Sequence, residues 1–237
     1  MGTPMSPTPV DLPYMDTAAL LQLLRLASPA LPVGAYAYSQ GLEYAVAVRW
    51  VHDEASARAW ILGLLEHALG RLDVPVLSRL YGAWEENDAQ AVDDWNRCLY
   101  ASRESAELQA QDRQLGAALA RLLAGLDMPE ARTWVTDGHA TFATLYALAA
   151  VRWCIPLREA AGGYLWSWSE NQVMAAIKLV PLGQTAGQRL LSAVVERIPG
   201  VLERGLTLPD AEIGFLAPAL AIASALHEAQ YSRLFRS

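Results

Sequence analysis

Four histidines, one lysine and two cysteines are the side chains of this 237-residue chain best suited to hold a metal or form a covalent intermediate. None of them stands in a pattern that does so. His52, His67, His139 and His227 each lack a second histidine or cysteine within one helical turn. His227 and Glu228 are neighbours rather than a turn apart, so they do not converge on one ion, and each histidine reads as structural. Cys98 and Cys154 make neither a disulfide framework nor a thiolate motif. There is no phosphate-binding glycine loop and no serine nucleophile elbow. The sequence therefore predicts no enzyme, no metal site and no bound cofactor.

Lys178 is the one lysine among 18 basic residues; the other cations are arginine. It lies in the apolar run VMAAIKLVPL. A buried ammonium costs several kcal/mol unless paired. Either the lysine stem packs while its head reaches water, or its charge faces something the protein must hold. Two further patches concentrate polar tips on an apolar base. Tyr36, Tyr38, Ser39, Gln40 and Glu43 follow a proline-rich turn, and such loops are often contact sites. Tyr231, Arg233, Leu234, Phe235, Arg236 and Ser237 end the chain in the aromatic-plus-arginine composition that dominates interface energetics.

The elements that position these patches all read as helices. Thr17 to Ala27 is leucine-rich around most of its circumference and calls for cover on several sides. Pro29, Pro32 and Gly34 force a turn. Asp53 caps a helix that Gly70 closes; Asp73 and Pro75 open the next, and Asn87 and Asp88 end it. One long helix is expected over 89–124, with the polar run RESAELQAQDRQ (103–114) as its solvated face. Further helices are expected over 138–154, from Leu157 into the Lys178 segment, and over 184–203, with breaks at Pro156 and at Pro181 and Gly183. No stretch alternates as a strand. The expected fold is an all-α single globular helical domain of nine or ten helices. It follows a flexible arm over 1–16 that contains Pro4, Pro7, Pro9 and Pro13.

Composition narrows the function class. Hydrophobic residues make up 53% and charged residues 18%, against a usual charged share of roughly 25%. That apolar surplus points to a subunit interface or a greasy contact face. A net charge of −7 argues against nucleic acid and against an anionic membrane surface. No segment reads as a signal peptide or a membrane span, which predicts a cytoplasmic protein.

Three stretches, LASPALPVGAYAYSQGLEYAV (26–46), VMAAIKLVPLGQTAGQRLL (173–191) and IASALHEAQYSRLFRS (222–237), resemble the signatures of the UreF family of urease accessory proteins, in the same order and spacing. The resemblance covers the chain from about Leu20 onward. It implies an all-α cytoplasmic homodimer with no enzymatic activity. It also implies two partners, the scaffold UreD (also called UreH) and the GTPase UreG, in a complex that delivers nickel to the urease apoprotein. By position it assigns scaffold binding to the tail residues Tyr231, Arg233, Leu234, Phe235, Arg236 and Ser237 and to the helix over 17–27. Tyr36, Glu43 and Lys178 match positions on the GTPase side or in gating. Ala37 departs from the pattern, which often has serine there, and weakens any hydroxyl-specific role at that point. Two readings compete with simple bridging: direct regulation of GTP hydrolysis, and an enzyme built on a pocket near Tyr164, Trp166 and Trp168.

Overall fold

The computed structural model describes residues 15–136, 138–214 and 217–236. Residues 1–14, which hold most of the expected arm, lie outside the described residues. Eleven α-helical segments are present and no strand occurs among the described residues. They are α1 (Thr17–Ala27), α2 (Leu42–Ala47), α3 (Glu54–Leu64), α4 (Val74–Glu86), α5 (Ala89–Ala101), α6 (Ala106–Gly125), α7 (Ala131–Trp134), α8 (Phe142–Arg152), α9 (Leu157–Leu179), α10 (Gln184–Leu206) and α11 (Pro218–His227).

Local signals set most of these boundaries. Asp16 was expected in the arm but caps α1 through Ala18 N–H. Asp53 and Ser56 form a reciprocal capping box at α3. Asn87 ends α4 in the left-handed region at φ 55°, and Asp88 caps α5. Ser105 and Thr141 cap α6 and α8.

Gly70 does not close a helix. α3 runs through a π-helical stretch, Leu65–Asp73, directly into α4, so eleven segments make ten rods. The glycine serves packing instead: a Cβ there would sit 2.8 Å from Val201 Cγ1 on α10. The expected long helix over 89–124 is also two helices. It breaks over residues 102–105, where Arg103 turns inward.

α9 is the central rod, packed against α1, α2, α4, α8 and α10. α8 is buried almost throughout, between α4 and α6. The approach of α6 to the start of α8 depends on Gly116, where a Cβ would fall 2.0 Å from Ala140 O. The obstacle is backbone, so no rotamer change relieves it. Gly116→Ala is expected to cost at least about 2 kcal/mol, a fall in thermal midpoint of roughly 4–8 °C. Gly63→Ala, where the new methyl meets open space, is expected to leave the midpoint level or higher. Melting curves of the two variants check the contrast.

The leucine helix α1 is not covered on several sides as expected. Ala19 and Leu26 are buried, but Leu20, Leu21 and Leu24 are 41%, 61% and 58% exposed. Among the described residues α9 is the main wall of this helix, and Leu20, Leu21 and Leu24 point away from it.

Candidate docking site around the carboxyl-terminal tail

Glu43 organises the tail. It sits in the first turn of α2 and is buried despite its charge. Its Oε1 accepts the backbone N–H of Leu234 at 2.6 Å and its Oε2 accepts that of Phe235 at 2.8 Å. Two adjacent amides on one carboxylate make a charge-assisted clamp, each bond contributing about 1.5–3 kcal/mol. The same Oε2 lies 3.3 Å from Nε2 of His227, which is fully buried. The other ring nitrogen, Nδ1, lies 2.8 Å from Glu107 Oε2. Glu107 Oε1 in turn accepts from Arg233 at 2.7 Å. α2, α6, α11 and the tail therefore meet on one chain of polar contacts, Glu43, His227, Glu107 and Arg233.

The chain fits closely here because two small contacts bring the elements together. Gly41 adopts φ 75°, and a Cβ on it would lie 3.0 Å from Ala223 Cβ on α11. Ser105 and Ser224 share a hydrogen bond at 2.6 Å between α6 and α11. Arg236 N–H donates to Ala37 O at 2.8 Å, fixing the last described residue.

The expected site residues fall into two groups. Leu234 and Phe235 join Glu43 in the clamp, flanked by Arg233 on Glu107 and Arg236 on Ala37 O, which links a residue assigned by resemblance to the GTPase side with residues assigned to scaffold binding. Phe235 is the buried anchor, while Tyr231 is fully exposed and Leu234 is 68% exposed. Ser237 lies outside the described residues. Lys178 is exposed at the end of α9, its Nζ 5.7 Å from the centre of the Phe235 ring. Its head reaches water and lies beside the tail's aromatic anchor.

Lys178 and Tyr36 also line a cavity of about 240 Å³ that runs from the Trp168 side of α9 to the base of α6. Its floor is a buried ion network. Arg103 donates through both terminal nitrogens to Asp73, at 2.7 and 3.2 Å, and through Nε to Asp112 at 2.8 Å. Tyr164 donates to Asp73 at 3.0 Å, and Asp112 also accepts Phe142 N–H at 2.8 Å, capping α8. Burial alone would lower the Arg103 pKa, but the two carboxylates overcome it and hold it well above the usual arginine range. Burial pushes the Tyr164 phenol up, with Asp73 adding to the shift. These groups are tied to one another rather than poised for proton transfer. Trp168 donates to Gln40 at 2.5 Å, and Trp166 does not line the cavity. Of the pocket expected around Tyr164, Trp166 and Trp168, the structure brings Tyr164 and Trp168 to the cavity, where each is held by a hydrogen bond to a neighbouring side chain.

Sequence reasoning missed His227, Glu107, Asp73, Arg103 and Asp112. Arg103, Glu107 and Asp112 lay in the run expected to be a solvated face, yet Gln111 and Asp112 are buried and Arg103 keeps 16% of its side-chain surface. The available signal was the polar run itself, which carries Leu108 among its polar residues and is followed at once by Leu115, and so cannot be wet on every side.

Among the described residues the buried charges of this all-helical fold tie elements to one another, while Leu20, Leu21, Leu24, Tyr231 and Leu234 stay exposed, as on a protein that docks onto others. Comparison with known sequences agrees. The sequence model of the UreF family matches residues 51–195. A urease accessory protein UreF from Alkalilimnicola ehrlichii is 56% identical over 216 residues, covering 91% of this chain and 95% of the relative. Those of Teredinibacter turnerae and of an Azoarcus species are 53% and 50% identical, covering 92% of this chain and 98% and 95% of the relatives. The chain belongs to the UreF family of urease accessory proteins, a non-enzymatic class. None of the described helices is long and apolar enough to cross a membrane.

Proposed function

We propose that this chain acts in urease maturation by bridging the UreD/UreH scaffold and the UreG GTPase in the cytoplasmic assembly that inserts nickel into the urease apoprotein, working as a homodimer. The observation that carries the reading is the tail. It is anchored by Phe235 and clamped by Glu43, yet it presents Tyr231 and Leu234 outward. The uncovered leucines of α1 supply a second apolar surface of the kind a scaffold would bury. Nickel is cargo in this scheme and needs no resident site on the chain.

Direct regulation of GTP hydrolysis is supported by a separate observation: Tyr36, 70% exposed, and Lys178 stand on the rim of one cavity. GTP hydrolysis rates of UreG with and without this chain separate that reading from bridging alone.

Co-expression with UreD and UreG tests the bridge. A particle holding two copies of each protein is expected. Deleting Gln230 to Ser237 is expected to abolish co-purification with the scaffold while circular dichroism keeps its helical signal, because the described residues removed, 230–236, form no helix. A truncated chain that still co-purifies contradicts the assignment.

A further inference from the structure

Arg113 and Arg121 project from one side of α6, two helical turns apart, and Arg236 reaches the same place from the tail. Together with Tyr36 and the alanines Ala117 and Ala118 they line an open groove of about 510 Å³. Among the described residues no carboxylate lines this groove. None of the three arginines takes part in a described ion pair, unlike Arg79, Arg97, Arg103, Arg152 and Arg189. A chain of net charge −7 has therefore gathered three guanidiniums where nothing described neutralises them. Such a concentration of one sign raises the local affinity for the other.

The geometry sets the kind of anion. At 1.5 Å rise per residue, Arg113 and Arg121 lie about 12 Å apart along the helix, with the uncharged Gln114, Ala117 and Ala118 between them on this face. An extended chain advances about 3.3 Å per residue, so carboxylates four residues apart meet both guanidiniums. Guanidinium forks pair with carboxylates through two parallel hydrogen bonds. The tail backbone, held by Ala37 O, carries Arg236 as a third contact. We propose that this groove binds an extended acidic segment of a partner protein, with carboxylates spaced about four residues apart. A polynucleotide fits less well, because its phosphates continue past the short groove onto a surface of net negative charge. A single phosphate spans one end only.

The inference goes beyond the bridging role and does not rest on it, since its test uses neither scaffold nor GTPase. The probe is a fluorescein-labelled peptide of about ten residues carrying glutamates at its second, third, sixth and seventh positions in a glycine-serine background. Fluorescence anisotropy against the full chain is expected to show binding that weakens roughly tenfold or more between low and moderate salt. Arg113→Glu and Arg121→Glu are each expected to weaken it by roughly tenfold or more. Arg132→Glu, an exposed arginine on α7 outside the groove, is expected to change it less than about twofold. The proposal is overturned if the parent chain does not bind the peptide, or if Arg132→Glu weakens binding as much as the groove variants. Tighter binding of inorganic phosphate or of a thymidine decanucleotide overturns it as well. A large fall in thermal midpoint for both groove variants would show instead that these arginines hold the chain's own carboxylates.

Discussion

Arg103→Met is expected to lower the thermal midpoint by roughly 10 °C. The substitution keeps most of the stem's volume and removes the charge between Asp73 and Asp112, whose side chains are 5% and 6% exposed. Two carboxylates then face each other out of water with no cation. Breaking a buried ion pair from one side costs about 3–5 kcal/mol, and in a chain of this size each kcal/mol is worth about 2–4 °C. The damage spreads because Asp112 also caps α8 through Phe142 N–H, and Asp73 also accepts from Tyr164. Arg103→Lys is expected to recover only part of the loss, since one ammonium cannot reproduce three fork-directed hydrogen bonds to two carboxylates. Scanning calorimetry of the parent and both variants decides it. A midpoint within about 2 °C of the parent for Arg103→Met would mean the network is hydrated and contributes little.

Glu43→Ala should release the tail with a smaller effect on the whole fold. The side chain accepts two adjacent amides and faces His227, so its loss leaves the N–H groups of Leu234 and Phe235 without their acceptor. A buried, unpaired N–H costs about 1–3 kcal/mol, and the tail lowers that cost by leaving its groove for water. Hydrogen exchange at those two amides is expected to accelerate by about 100-fold, the equivalent of about 2.7 kcal/mol. Protease sensitivity over 228–236 should rise in parallel, while the helical signal and the exchange of core amides on α8 stay at parent values. Glu43→Gln keeps one acceptor oxygen and should fall between. Unchanged exchange at Leu234 and Phe235 in Glu43→Ala would show that Phe235 packing alone holds the tail. Under the proposed bridging role, the released tail also loses its preformed shape, and scaffold capture should weaken with it.

Much of the architecture was legible because its signals are local. Asp53, Asp88 and Asn87 mark ends that depend on side chains one to three residues away. The stripes of α3, α4 and α9 repeat at helical spacing. The errors share one cause: a residue's partner was far along the chain. Gly70 reads as a helix stop by itself, and only Val201, on α10, makes it a packing residue. Arg103 reads as wet until Asp73, thirty residues away, is brought beside it. Leu20, Leu21 and Leu24 read as core until the described residues pack on the other side of α1 and leave these three exposed.

The same division holds for the functional surface. Residue types alone marked three patches: the loop from Tyr36 to Glu43, the lone lysine, and the aromatic, arginine-bearing tail, because unusual composition is visible without coordinates. That Glu43 clamps that tail, 191 residues away, is a fact of tertiary structure. By itself the sequence determined an all-helical chain, its main breaks, and the absence of familiar catalytic patterns, since helix periodicity and capping are properties of neighbouring residues. Which charges are buried, which leucines stay bare and which arginines share a groove were decided only when α6, α9, α11 and the tail packed together, because burial and charge pairing belong to the whole fold and not to any one segment.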